Sequence, residues 1–345
     1  MIGEIVYRRV PESWSEKAWR EAGAFVAVFL NFNKLAMIRR SVASALAQDY
    51  SALEILFMDD ASTDGSAEVM EEMVRAYRGP HKVTVVRNRV NAGICGQWNQ
   101  VTELSGGEWF GMFCGDDVAH PDRVTQAAKV VRRYPGLLGL SASMDTFDFR
   151  SGEPCDYPGY PPEVIEMRGN ERPDILYARR WASGCTAFWR REIFARPLPD
   201  VALDDLFIHW RLLMTARGRE DVVWVYDGNC RTIDYSVGAG LWSEIRSARD
   251  PSMPKPDFLR RRHASEVKVW NRCRDVWRAI LDEAVAGGEA FSEFAALAKA
   301  RIVDYRDRVA LAETRLRELD MPQPFRFVHK ALRKLGLIRP KGNRV

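Results

Sequence analysis

From residue 24 onward, apolar and polar positions alternate between two rhythms. Phe25–Leu30 is an uninterrupted apolar run, the pattern of a strand buried on both faces of a parallel sheet. Lys34–Ala47 follows with Leu35, Ile38, Val42 and Leu46 at helical spacing. The alternation then repeats. Strands are expected over Leu53–Met58, Lys82–Arg87 and Glu108–Cys114, and helices over Asp64–Arg78, Ile94–Leu104 and Asp122–Tyr134. Thr63 or Asp64 is placed to cap the second helix, and Pro121 stands where the fourth should begin. Four successive strand–helix units predict an α/β fold with a doubly wound, mostly parallel sheet flanked by helices.

Either side of this region the pattern changes. Pro11–Glu21 reads as a helix in a polar, Trp-bearing lead-in, residues 1–23. After a strand at Leu137–Met144, Asp148–Arg172 is rich in Pro and Gly and predicts a long loop. The stretch Trp181–Trp189 sets Ser183-Gly184-Cys185 between aromatic ends and has no assignable period. Asp204–Arg217 is an amphipathic helix and Val222–Tyr226 a strand. From about Lys255 the chain turns to long helical segments rich in Arg, Ala and Glu. The expected division is an α/β domain over 24–250, with halves at 24–147 and 148–250, and a C-terminal helical extension over 251–345.

Composition narrows the class. With 46% hydrophobic and 28% charged residues among 345, global disorder is excluded. The net charge, 51 − 47 = +4, is too mild to imply a nucleic-acid partner. The richest apolar stretch, residues 22–32, is too short to span a bilayer, and the first residues do not read as a secretory signal, so a cytoplasmic location is expected. From Pro322 onward the chain holds Arg326, Lys330, Arg333, Lys334, Arg339, Lys341 and Arg344 without an acid, interleaved with apolar residues. Such a basic amphipathic helix would either dock on the protein's own acidic surface or make peripheral contact with the inner face of the membrane. Six scattered cysteines without a Cys-x-x-Cys read as thiols, and five histidines without a His-x-x-x-His pair argue against zinc. Any metal would be held by carboxylates, which points to Mn²⁺ or Mg²⁺.

In open α/β sheets ligands bind beyond the carboxyl ends of the strands. Three polar clusters fall there by register: Asn31-Phe32-Asn33, Asp59-Asp60 and Asp116-Asp117. Asp and Asn are common in turns and caps, so one cluster alone would mean little. Two acid pairs on one edge repel each other unless a cation or ligand compensates, and a divalent ion bridging carboxylate and phosphate would do so. The chain has no Gly-x-Gly-x-x-Gly after the first strand, no Gly-x-x-x-x-Gly-Lys-Ser/Thr and no Gly-x-Ser-x-Gly.

The residues at these positions bring a family into view. Phe29-Leu-Asn-Phe-Asn-Lys34, Ser44–Gln48 before Tyr50, and Met58-Asp-Asp-Ala-Ser-Thr-Asp-Gly65 resemble the family-2 glycosyltransferases of the GT-A fold, inverting enzymes that use nucleotide-sugar donors. So do Asn91-Ala-Gly-Ile94, Asn99, Gly107-Glu108, Cys114-Gly-Asp-Asp117 before Pro121, and Asp205 with Arg211 six residues later. The resemblance implies that Phe32, flanked by Asn31 and Asn33, stacks on the nucleotide base, and that Asp59 and Asp60 bond base and ribose. It implies that Asn91 and Asn99 shape the donor pocket, that Asp116 and Asp117 hold the metal on the diphosphate, and that Asp205 is the general base. Trp181 and Trp189, with Gly184 between them, are candidates to line the acceptor. Cys114 stands where many members have the first Asp of the motif, and Ile233 where a histidine is often seen.

The expected activity is transfer of a sugar, UDP-linked, to a glycan or lipid-linked acceptor hydroxyl with inversion, in polysaccharide or glycoconjugate synthesis. Two alternatives stand beside it: a catalytically silent nucleotide-sugar-binding or scaffold subunit, and a sugar nucleotidyltransferase, which the missing glycine-rich basic loop disfavours.

Overall fold

The architecture comes from a computed structural model that describes residues 3–148, 151–155, 162–170, 184–200, 204–237 and 254–320. The chain divides into two compact units, Met1–Phe147 with Gly152–Ser236, and Asp148–Ser151 with Val237–Val345. The first unit opens with β1 (Glu4–Arg9) and α1 (Glu16–Glu21), whose Ser15 hydroxyl accepts from the Ala18 amide as a cap. Strands and helices then alternate: β2 (Phe25–Asn31), α2 (Ile38–Leu46), β3 (Leu53–Asp59), α3 (Ser66–Ala76), β4 (Lys82–Arg87), α4 (Gly93–Leu104), β5 (Trp109–Cys114). After the short β6 (Val118–Ala119) come α5 (Arg123–Arg133), β7 (Gly139–Asp148), β8 (Val164–Arg168), β9 (Phe188–Arg190), α6 (Asp204–Ala216) and β10 (Val222–Val237).

Among the described residues these strands form one ten-stranded sheet in the order β1-β4-β3-β2-β5-β9-β7-β10-β6, with β8 on β10. β4, β3, β2 and β5 are mutually parallel, and β1 and β9 add antiparallel neighbours on either side. The chain builds outward from β2 through β3 to β4, then crosses back to lay β5 on the other side of β2. That reversal is a topological switch point, so a crevice opens beyond the carboxyl ends of β2 and β5. The doubly wound sheet read from the apolar runs is therefore the observed one, mostly parallel at its centre, β4-β3-β2-β5, with antiparallel strands on either side.

Apolar burial explains the order. Every residue of β2 and β3 is buried, as a strand covered on both faces requires. One face packs Phe25, Ala27, Phe29 and Phe57 against Ile38 and Val42 of α2, Met70 and Val74 of α3, and Val124 and Ala127 of α5. The other carries Trp98 of α4, its ring stacked on Phe194 at 5.3 Å and edge-on to Trp189. Glu54 is buried mid-strand in β3 and survives there because the Lys82 ammonium lies 3.0 Å away and the Ser105 hydroxyl donates at 2.6 Å.

Four stretches depart from the sequence expectation. α2 begins at Ile38 rather than Lys34, because residues 34–37 form a turn that sends Lys34 and the Leu35 amide toward acids. β1 was folded into the lead-in, since its polar residues take strand form only by pairing with β4. Within the expected long loop lies β8, and β10 runs on past Tyr226 through a polar Asp-Gly-Asn that reads as a turn but pairs onward with β6. The unassigned aromatic stretch resolves, where described, into a 3₁₀ turn at Gly184–Thr186 followed by β9.

The second unit is an antiparallel helical hairpin, α7 (Lys255–Ala286) and α8 (Ser292–Asp320). Val269, Cys273, Val276 and Ile280 are fully buried in α7 at alternating spacings of four and three, the seam of coiled-coil packing. No helix of the described residues is long and apolar enough to cross a membrane. The basic segment after Pro322 lies outside the described residues.

Gly111 in β5 pairs with Phe188 of β9, and a methyl group there would sit 2.3 Å from the Phe188 ring. That ring is itself wedged edge-on against Phe25 at 6.1 Å. Gly111→Ala should therefore cost about 1–3 kcal/mol through overpacking. Urea denaturation checks this, and an unchanged midpoint would show that the ring can move aside.

Candidate active site at the switch point

The register of the central strands delivers the polar clusters together. Asn31 pairs with Asp59 across β2 and β3, and Leu30 with Cys114 across β2 and β5. Asn31 is buried, and its amide nitrogen donates to Asp59 Oδ1 at 2.7 Å, Ser66 Oγ at 3.0 Å and, more weakly, Ser62 Oγ at 3.3 Å. The carboxylate and hydroxyls fix which way this amide points. Its carbonyl, Asn31 Oδ1, is buried without a hydrogen-bond partner. That oxygen lies against Gly115, where an added Cβ would approach it to 2.8 Å.

Asp59 and Asp60 are both about 1% exposed, and both carboxylates are occupied internally. Asp59 also accepts from the Ser62 amide at 3.0 Å. Asp60 accepts from Asn88 Nδ2 and the Ala92 amide, each at 2.8 Å, and from the Gly93 amide at 2.9 Å, while its backbone carbonyl receives Asn91 Nδ2 at 3.3 Å. The acid pair expected to bond base and ribose thus also shapes the loop into α4. Asn91 is exposed on that loop, where Gly93 takes a φ of 70°.

The loop after β3 is held in left-handed geometry at Ala61, with φ 61°. It is clamped to the turn after β2. The Asn33 amide donates to Ser62 Oγ at 2.9 Å and Asn33 Oδ1 accepts from the Thr63 amide at 2.8 Å. Asp64 accepts from the Leu35 and Ser66 amides, each at 2.9 Å. Burial pushes its carboxyl up, but these hydrogen bonds outweigh that and leave it below the ordinary aspartate range. Phe32, between the two asparagines, is 44% exposed at the rim, which excludes a core role.

The second acid pair is arranged differently. Asp116 is partly exposed and meets the Lys34 ammonium at 2.5 Å. Burial draws the Lys34 pKa down, but attraction and hydrogen bonding to Asp116, with Cys114 and Asp117 adding, leave it above the usual lysine value. Asp117 is buried, and its amide donates to the Cys114 carbonyl at 3.3 Å. Cys114, Asp116 and Asp117 each offer a ligand atom within 4.8 Å of the others. With the unpartnered Asn31 oxygen at the same turn, this donor set suits a divalent cation. Burial, then the neighbouring carboxylates, push the Cys114 thiol well up. Arg123 lies behind, fully buried, with its guanidinium 4.2 Å over the Phe113 ring and Nη2 donating to the Met112 and Cys185 carbonyls at 2.7 Å. Burial brings its pKa down to about 10.

Other expected site residues are placed elsewhere. Asn99 spends its amide on Leu198, donating to the carbonyl at 2.9 Å and accepting from the amide at 2.6 Å, and so anchors that segment. Trp189 is fully buried and edge-on to Trp98, which corrects the idea that its face receives an acceptor sugar. Gly184 is buried in the 3₁₀ turn. Ile233 is core, opposite Ala119 in the β6–β10 ladder. Beside it His120 Nε2 meets Asp234 Oδ1 at 2.9 Å, with Asp145 close by and bonded to Arg231. Asp205 is the second residue of α6, but its side chain and the whole of Trp181 lie outside the described residues. A cavity of about 250 Å³ between α5 and the far half of the sheet, lined by Arg123, Ser141, Thr186 and Thr232, does not reach the strand-end acids.

Sequence reasoning passed over Lys34 and the serines at 62 and 66. A lone lysine in the turn after the first strand, opposite an acid pair, was the available signal for Lys34.

Comparison with known proteins agrees with this arrangement. Residues 27–148 match the family model for glycosyl transferase family 2. A putative colanic acid biosynthesis glycosyl transferase of Escherichia coli, WcaA, is 34% identical over 94 residues, which is 27% of this chain and 33% of that protein. The succinoglycan biosynthesis protein ExoU of Rhizobium meliloti is 34% identical over 112 residues, 32% of this chain and 28% of that one. The chain thus spans about a third of the length of these curated relatives. Among solved structures, S. aureus TarS 1–349 in complex with UDP-GlcNAc superposes with a TM-score of 0.51 at 14% identity, covering 84% of this chain and 90% of that one. The mannosyltransferase PcManGT of Pyrobaculum calidifontis, in complex with GDP-Man and Mn²⁺, does so at 0.51 and 17% identity, covering 92% and 81%. At such identities the likeness speaks for the fold, the GT-A arrangement of a doubly wound sheet. The strand-end acids Asp59, Asp60, Asp116 and Asp117 lie inside the segment that matches glycosyl transferase family 2.

Proposed function

We propose that this protein transfers a sugar from a nucleoside diphosphate donor, UDP-linked, to an acceptor hydroxyl with inversion, in the synthesis of a cell-surface polysaccharide or glycoconjugate. The observation that carries the reading is the convergence of Asn31, Asp59-Asp60 and Asp116-Asp117 on one edge of β3, β2 and β5, at the switch point of the sheet. Exposed Phe32 offers a face on which the base can stack. The Asn33 and Asn91 loops, braced by Ser62 and Asp60, frame the nucleoside. Asp116 and Asp117 would hold Mn²⁺ or Mg²⁺, which when bound supplies charge compensation for the diphosphate. Lys34 already brings one cation to Asp116 and is positioned to stabilise the leaving phosphate. The acceptor, a glycan or lipid-linked sugar, would enter from the side of Gly184 and α6. The 24–250 region then acts as the catalytic domain, in a protein working in the cytoplasm.

The second reading is a silent donor-binding subunit. It is favoured by one observation: Cys114 stands where the resemblance puts the first acid of the motif. A panel of nucleotide sugars scored by thermal shift, with and without Mn²⁺, separates the readings when paired with donor hydrolysis. A donor at about a hundred times its Kd should add about 2.7 kcal/mol of stability. Binding is expected to depend on the divalent ion and to be accompanied by slow hydrolysis. Undiminished affinity in excess chelator would overturn the metal requirement, and binding without hydrolysis or transfer would favour the silent subunit.

Inversion takes one in-line displacement at the anomeric carbon, so a carboxylate must accept the acceptor proton as the nucleophile attacks. We assign that role to Asp205 at the start of α6. Asparagine can still cap a helix but cannot take the proton, so Asp205→Asn should lower turnover by about 10²–10⁴ with donor affinity near wild type. Transfer above about a tenth of the wild-type rate would shift the role to Asp204.

The basic segment after Pro322 is proposed to hold the enzyme peripherally at an anionic membrane face, where each basic residue near the surface contributes about 1 kcal/mol. Co-sedimentation with anionic vesicles should fall when residues 322–345 are deleted. Equal binding of both proteins refutes the contact.

A further inference from the structure

The turn after β5 places one sulfur among oxygens. Cys114, Asp116 and Asp117 present ligand atoms mutually within 4.8 Å, and Asn31 Oδ1, buried and unpartnered, borders the same turn at Gly115. Two carboxylates and an amide carbonyl are hard donors that suit Mg²⁺ and Mn²⁺ alike. A thiolate is soft, and Mg²⁺ has little affinity for it, whereas Co²⁺ and Zn²⁺ accept it readily. The charge can also be balanced. A thiolate and two carboxylates around a divalent ion leave one net negative charge. Two cations are already in place: Lys34 at 2.5 Å from Asp116, and the Arg123 guanidinium packed on Phe113, the residue before Cys114.

We propose that Cys114 coordinates the divalent ion through Sγ, making this a mixed sulfur–oxygen centre that favours thiophilic ions such as Co²⁺ or Zn²⁺ over Mg²⁺. The inference rests on the proposed metal site at Asp116 and Asp117 and adds the ligand that sets its selectivity. On binding, the S–H bond of Cys114 breaks, its proton leaves to solvent, and the sulfur lone pair forms the bond to the metal. Nothing is oxidised or reduced. A chain with aspartate at this position would present oxygen alone, so the cysteine changes which ion is retained.

The test uses the full chain and Co²⁺ as the probe, read by absorption rather than by activity. Wild type should show a near-ultraviolet sulfur-to-cobalt charge-transfer band that saturates with the calorimetric binding curve. Cys114→Asp and Cys114→Ser should lose the band, and Cys114→Asp should still bind Co²⁺ through oxygen. The ratio of Mg²⁺ to Co²⁺ dissociation constants should fall at least about tenfold from wild type to Cys114→Asp. Because a variant can misfold, a second measurement uses wild type alone: bound Co²⁺ should protect Cys114 from alkylation, located by mass spectrometry. Co²⁺ binding without the band, a band that survives Cys114→Ser, or an unprotected Cys114 in the loaded protein overturns the proposal and leaves the carboxylate site standing. No Co²⁺ binding at all, with or without UDP, overturns the metal site itself.

Discussion

Four carboxylates brought to one edge of a parallel sheet repel one another, and much of the local structure serves to contain that charge. The two pairs are contained in different ways. Asp59 and Asp60 are turned inward and saturated by amides and side-chain donors from the loops after β2, β3 and β4. Their charge becomes a scaffold: it fixes the Asn31 amide, a left-handed Ala61 and the entry to α4. Asp116 and Asp117 are answered by a cation on an adjoining turn, Lys34, and by the buried guanidinium of Arg123 behind the strand end. Only this second pair keeps ligand atoms grouped where an ion could meet them.

In the proposed donor site, the inward pair is what would let a chain without a phosphate-wrapping loop frame a nucleotide. Loop conformation here is set by hydrogen bonds from backbone amides to buried carboxylates, Asp59 and Asp60. The Asn33–Ser62–Thr63 clamp ties the turn after β2 to the loop after β3, and the Leu35–Asp64 bond ties it again three residues before α2 begins. Rigidity at the rim therefore follows from the strand register, because Asn31 and Asp59 are opposed only when β2 and β3 pair as they do.

How much of this was legible in the sequence depended on burial. β2, β3 and β5 announce themselves because strands covered on both faces must be apolar almost throughout, and the switch point follows from their order. β1, β8 and the far part of β10 do not, since their polar residues adopt strand form only through partners distant in the chain. Residue type marked the candidate site but not the direction of each side chain. Asp59 and Asp60 face inward, Asn99 grips Leu198, and Trp189 is packed against Trp98 rather than presented to a sugar. Those orientations are settled by tertiary hydrogen bonds and packing, which no local pattern encodes.

Lys34 shows the same limit and has a further consequence. Its spacing suited the first turn of a helix, yet the chain spends residues 34–37 on a turn instead. Its ammonium lies close to Asp116 in a partly exposed pair, whereas Asp117 and Arg123 are locked in the interior. A partly exposed ion pair holds its geometry weakly, because solvent competes for both charges and the lysine retains rotamer freedom. The edge thus combines a fixed negative group, a fixed positive group behind it and one movable cation in front. In the proposed reaction, an incoming diphosphate would recruit that cation away from Asp116 only if something else compensated the carboxylate left behind. An ion shared by Asp116 and Asp117 would do that, with Lys34 left beside the centre to offset its charge and to meet the diphosphate.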